Sequence, residues 1–141
     1  MTRDAANLYR DVLLDHGHHP RGARPLPAAT REATVHNPLC GDRITVQLRL
    51  DGDALAEVCF EARGCIIARA SASLMTEALV GRRLEEALAT ANAVNALVNE
   101  DTPPGDLGPL EPLRAVREFP ARKSCVILPW DALRQALTRA P

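Results

Sequence analysis

A thiol and a carboxylate stand two positions apart in the stretch Asn37-Pro38-Leu39-Cys40-Gly41-Asp42. Pro38 keeps the entry to the turn extended and restricts Asn37 as well. Gly41 opens a backbone conformation closed to other residues, so the side chains of Cys40 and Asp42 can point to one place. One soft and one hard anionic ligand suit a borderline ion such as zinc. Two ligands do not make a site, and Cys65 and Cys125 are the candidates to complete it. Cys65 follows Gly64 and stands where a helix begins, so backbone N–H groups and the helix dipole favour its thiolate. The wide spacing is not that of a zinc finger. By spacing alone, three unrelated buried cysteines explain the pattern as well as a metal site does. The fourth thiol, Cys59, falls on the polar side of an expected strand and reads as a bystander. His16, His18 and His19 read as a solvated helix end.

These residues need elements to hold them. Asp4 to Asp15 reads as a helix with a stripe of Leu8, Tyr9, Val12 and Leu13, stopped by Gly17 and Pro20. Pro20 to Pro27 is an extended linker. Ala33 to Asn37 is a short strand. Arg43 to Leu50 is a clearer one, with Ile44, Val46, Leu48 and Leu50 on one face. Asp51-Gly52-Asp53 turns the chain into a return strand, Leu55 to Ala62, with Val58 and Phe60 facing inward. Ile66 to Val80 and Leu84 to Val98 are helices. In the second, Leu84, Leu88, Ala91, Asn95 and Val98 form the stripe. Asn99 to Pro109 is a loop, and Leu110 to Arg117 is a short helix weakened by Pro112. A terminal helix carries Trp130, Leu133 and Leu137. Proline in a helix interior costs roughly 3 kcal/mol, but almost nothing at the first position. The regular part of that helix is therefore expected to begin at Pro129, with Cys125 on irregular backbone before it.

Composition narrows the function classes. The chain of 141 residues is expected to form one domain, 1–141, with an ordinary apolar fraction of 46% and charged fraction of 25%. A net charge of −1 gives no electrostatic case for nucleic acid. No apolar run reaches the roughly 18 residues of a membrane span, and the N-terminus has no apolar signal core. A cytoplasmic location is expected. Thiols stay reduced there, so four cysteines argue for metal or catalysis rather than disulfides.

Three blocks of the chain resemble the iron–sulfur cluster assembly scaffold family of the IscU/NifU N-terminal type. They are Asn37 to Ile44, then Gly64-Cys65 with Ala70 to Ala78, and Phe119-Pro120-Ala121-Arg122 leading to Cys125 and Trp130. Leu8-Tyr9, Leu14-Asp15-His16 and Pro20-Arg21 match as well, so the resemblance covers nearly the whole chain. Ser124 stands where the IscU type carries a histidine. The gap from Cys65 to Cys125 is long, and Arg122 lies three places before Cys125. These features resemble the SufU branch. The resemblance implies an α+β fold, a small antiparallel sheet of about three strands packed on one face by helices, with the three landmark turns meeting at one exposed end. It implies one zinc ion on Cys40, Asp42, Cys65 and Cys125, with Gly41, Gly64 and Arg122 in support.

A SufU-like protein would accept sulfur from a pyridoxal-phosphate cysteine desulfurase (SufS-like) and serve a downstream SufBCD-type assembly complex. In that scheme a histidine of the desulfurase takes a place on the zinc and frees Cys40, which attacks the persulfide much as in thiol–disulfide exchange. Two alternatives stay open: a scaffold carrying a transient iron–sulfur cluster, and a structural zinc module. The chain departs from the family pattern at Ile66 and Ala68, which flank the usual isoleucine (Ile67) and stand where alanine and serine are usual, and at Arg69 and Pro129. None of these removes a ligand.

Overall fold

The computed structural model describes residues 3–38, 41–100 and 107–138. Three strands, β1 (Arg31–His36), β2 (Arg43–Asp51) and β3 (Ala54–Arg63), form an antiparallel sheet in the order β1-β2-β3. Alternation sets the inward face. Ala33, Val46 and Phe60 lie side by side across the three strands, and Ile44, Leu48 and Val58 bury their side chains with them. Four helices surround that face: α1 (Arg3–His18), α2 (Ile66–Leu79), α3 (Leu84–Asn99) and α4 (Lys123–Thr138). A 3₁₀ segment (Gly108–Glu118) and a short 3₁₀ turn (Pro120–Arg122) join α3 to α4. The fold is the expected α+β arrangement of helices on one face of a three-stranded sheet.

α2 is the central helix. It packs against α1, α4 and β3, and is buried from Ala70 through Thr76. Its alanines and serines let neighbours approach closely from several sides. α3 buries Ala87, Ala91, Val94, Leu97 and Val98, so its apolar face is turned from the expected stripe. Asn95 is exposed and accepts a hydrogen bond from Asn99.

Three local expectations are overturned. α1 runs through Gly17 to His18, and the glycine serves packing instead of termination. A Cβ at position 17 would overlap the Ile66 side chain, so the missing methyl makes room for the large residue that opens α2. Cys59 is buried, 1% exposed, not set on a solvated face. The linker after α1 crosses that side of the sheet. Its Leu26 N–H donates to Gln47, the cross-strand neighbour of Cys59, and its Gly22 carbonyl accepts from Phe60 N–H. α4 runs unbroken from Lys123 to Thr138 with Pro129 inside it, against the expected start at Pro129. The Val126 carbonyl, three residues before Pro129, accepts the Ser71 hydroxyl at 2.7 Å. That donor comes from α2 and ties this stretch of α4 to it, whereas the carbonyl that Pro129 deprives of its intrahelical partner is that of Cys125, four residues earlier. Among the described residues no helix is long and apolar enough to cross a membrane.

Candidate metal centre

Asp42 stands immediately before β2, Cys65 between β3 and α2, and Cys125 in the first turn of α4. The sheet register brings the first two together, because Arg43 pairs with Arg63 at the end of the β2–β3 ladder. α4 brings the third over the same end. One carboxylate oxygen and the two sulfurs all lie within 4.8 Å of one another. Cys125 Sγ is 3.9 Å from Asp42 Oδ2, and the Cys65 N–H points at that oxygen from 3.5 Å. Asp42 and Cys125 are buried, while Cys65 is half-buried, so the cluster opens towards solvent on the Cys65 side. Cys40 lies outside the described residues.

The loop before Asp42 is closed by backbone bonds. Gly41 N–H donates to the Asn37 carbonyl at 2.9 Å, and Asn37 N–H to the Asp42 carbonyl at 2.8 Å. Gly41 has φ 75°, which accounts for a glycine there. Asn37 also reaches across to α4, its Nδ2 donating to Ser124 Oγ at 3.2 Å. The residue before Cys125 therefore ties the loop to the helix. Gly64 has a different reason to be glycine: a side chain there would run into the Asp42 carboxylate. Cys65 is the N-cap of α2 and caps nothing with its side chain, which leaves the sulfur free to face the cluster.

Without a cation the cluster is electrostatically awkward. Burial pushes the Cys125 thiol up to about 12, and the adjacent Cys65 and Asp42 push the same way, against a pull from Arg122. A cation bound among them would favour the anionic thiolates and so oppose the upward pushes. Two thiolates and a carboxylate, soft and hard donors mixed, fit zinc. Cys59 stands apart on β3, raised by burial, and does not belong to the group.

Two residues outside the expected set shape the site. Ser71 on α2 donates to the Val126 carbonyl and accepts from Trp130 Nε1–H at 3.0 Å, locking α4 onto α2. Asn37 locks the loop. Nothing in their spacing marks either role, which depends on contacts 59 and 87 positions away. The expected solvated histidines divide: His18 and His19 are exposed, but His16 is buried, its Nδ1 2.7 Å from Ser73 Oγ.

Residues 8–139 match the family model described as the NifU-like N-terminal domain. The chain is 39% identical over 134 residues to a Bacillus subtilis (strain 168) protein named zinc-dependent sulfurtransferase SufU, covering 94% of this chain and 90% of that one. It is 36% identical over 136 residues to a protein of Streptococcus pyogenes serotype M1 named iron–sulfur cluster assembly scaffold protein IscU, covering 95% and 85%. A crystal structure assigned as an iron–sulfur cluster assembly scaffold protein for the SUF system, from Fervidobacterium islandicum AW-1, superposes with a TM-score of 0.85 at 29% identity, covering 91% of this chain and 95% of that one.

Proposed function

The chain belongs to the NifU-like N-terminal domain family of iron–sulfur cluster assembly proteins, and we propose that within it the chain is a zinc-dependent sulfur acceptor. The observation that carries this reading is the meeting of Asp42, Cys65 and Cys125, a mixed oxygen and sulfur donor set at the end of the sheet. Cys40, two positions before Asp42, is the proposed fourth ligand and the acceptor. The similarity to a protein named zinc-dependent sulfurtransferase supports the choice of metal. When bound, zinc keeps these cysteines as thiolates at neutral pH.

The sulfur donor is a pyridoxal-phosphate cysteine desulfurase carrying a persulfide on its own cysteine. The Cys40 thiolate attacks the outer sulfur of that persulfide. A new S–S bond forms on Cys40, the old S–S bond breaks, and the enzyme's cysteine leaves as a thiolate, with no net oxidation. The sulfur then passes to a downstream SufBCD-type assembly complex. Asn37 and Gly41 close the loop that carries Cys40. Gly64 leaves Asp42 its place, and Arg122 supplies positive charge beside Cys125.

The test is desulfurase turnover with zinc-loaded variants. Cys40→Ala is expected to abolish stimulation and Cys59→Ala to keep it, with zinc content measured in both. Equal loss in two folded, zinc-loaded variants overturns the assignment of Cys40. A second reading, the cluster scaffold, is favoured by the relatives named as scaffolds. Anaerobic reconstitution with iron and sulfide separates the two readings. The acceptor yields little stable cluster while zinc stays bound, whereas a stoichiometric cluster delivered to an apo-protein selects the scaffold.

A further inference from the structure

The basic side chains of the described residues fall into two populations. Away from the metal centre several are paired: Arg21 with Asp15, Arg49 with Glu57, Arg82 with Glu86 and Arg134 with Asp131. Arg31 and Arg117 are satisfied by helix-end carbonyls. Beside the centre the pattern reverses. Arg43, Arg63 and Arg69 are exposed, and none has a carboxylate within 4.0 Å among the described residues.

Their placement follows from the sheet register. The last cross-strand row is His36, Arg43 and Arg63, one strand each, and it ends beside Asp42 and Cys65. Arg43 and Arg63 line a polar cleft of about 220 Å³ with Thr45, Ala62 and Glu61. An adjoining hollow shares Glu61 and Ala62 and adds Arg69 from the first turn of α2. Arg43 and Arg63 thus share a cleft with the single carboxylate of Glu61, and Arg69 lines the hollow beside it, in a chain whose net charge is −1. Like charges directly opposite on neighbouring strands destabilise a sheet. This row therefore does nothing for the fold that a neutral pair would not do better.

We propose that the row Arg43–Arg63, extended by Arg69, is a docking surface for an acidic patch on the sulfur-donating protein. The choice of a desulfurase as that partner rests on the acceptor reading above. Free guanidinium groups take carboxylates in bidentate pairs, which fixes orientation as well as attraction. A local positive field also raises the rate of encounter and is screened over about 8–10 Å at moderate salt. Docking at the sheet end would set the partner's persulfide against the loop before Asp42. Both the affinity and its salt dependence then come from residues outside the ligand set.

The experiment measures binding of the full-length, zinc-loaded chain to the pyridoxal-phosphate-loaded desulfurase of the same genome by biolayer interferometry, across a sodium chloride series. Desulfurase stimulation is measured in parallel. The variants are R43E with R63E, R43Q with R63Q, and R82E with R134E as a control distant from the centre. The reversed pair is expected to weaken binding roughly tenfold or more at low salt, mostly through the association rate, with the gap closing as salt rises. The neutral pair is expected to fall between, with zinc content kept and melting no lower than wild type. It carries the test if the reversed pair folds poorly. The control is expected to bind as wild type. Wild-type binding that survives both arginine variants unchanged overturns the docking surface and leaves the acceptor reading standing. Binding that is lost on reversal, in a protein that accepts no sulfur, supports the surface and overturns the acceptor reading. No wild-type binding at any salt overturns both.

Discussion

A methyl group at position 64 would stand 2.5 Å from Asp42 Cγ and 2.7 Å from its Oδ1. Contacts that short do not persist, so the carboxylate would have to shift from its present place beside Cys65 and Cys125. Gly64→Ala is therefore expected to lower zinc affinity about 10- to 100-fold, the usual effect of disturbing the residues that orient a ligand. Competition with a chromophoric chelator measures it, and circular dichroism checks that the fold remains. Unchanged affinity would mean that Asp42 is not held by this contact. Cys59 offers a contrast at the same scale. It is buried and remote from the cluster. Cys59→Ala should cost roughly 1 kcal/mol of stability in urea denaturation through lost packing, and leave zinc binding unchanged.

At the scale of the element, α4 survives a proline in its interior. Its first turn carries Cys125, and the residues around Pro129 are buried, including Val126, Leu128 and Trp130. Ser71 on α2 serves this segment twice, donating to the Val126 carbonyl and accepting from the indole of Trp130. Removing the hydroxyl would leave a buried carbonyl and a buried N–H without these partners. Ser71→Ala is therefore expected to cost about 3 kcal/mol in urea denaturation, read from the midpoint with an unchanged slope. A cost below about 0.5 kcal/mol would show that water or a relaxed helix replaces both bonds. The same variant should loosen Cys125, so zinc affinity should fall with it.

At the scale of the whole molecule, His16 couples α1, α2 and the linker. The Glu77 carboxylate 3.4 Å from His16 Nε2 favours the proton on that nitrogen, which leaves Nδ1 to accept from Ser73 Oγ, itself the acceptor of Arg21 N–H at 2.8 Å. Burial, then the Arg21 guanidinium, hold His16 below its ordinary value of 6.5, against the pull of Glu77 and Asp15. The folded state thus prefers neutral imidazole more than the unfolded chain does. The stability this contributes is full above 6.5 and is lost as pH falls through the lower, folded-state value. The metal-free protein should accordingly lose stability as pH falls below the ordinary histidine value of 6.5, and His16→Gln should flatten that slope. Metal-free protein is required because zinc ligands release protons of their own. Parallel slopes in the two proteins would remove His16 from the account.

Local chemistry made much of this molecule legible in its residues. Alternation of Ile44, Val46 and Leu48 defined β2 and its inward face. Asp51-Gly52-Asp53 marked the hairpin, and Gly41 and Gly64 marked the two turns beside Asp42 and Cys65. Each of these signals acts within a few positions of itself, so a linear reading can find it. What the linear reading missed depended on residues far apart. Cys59 sits on the polar side of an alternating strand, and only the linker crossing that side buries it. His16 looked solvated until α2 brought Ser73 to it. Gly17 looked like a helix stop, yet its missing methyl serves Ile66 on another helix. Pro129 was expected to start α4, because proline's local cost is calculable and the packing that buries Val126, Leu128 and Trp130 around it is not. The meeting of Asp42, Cys65 and Cys125 was different: the residues offered it as a candidate and the family resemblance implied it, but their spacing left it no better than three unrelated cysteines. Strand register sets the first two side by side and helix packing adds the third, so tertiary structure alone decided that convergence.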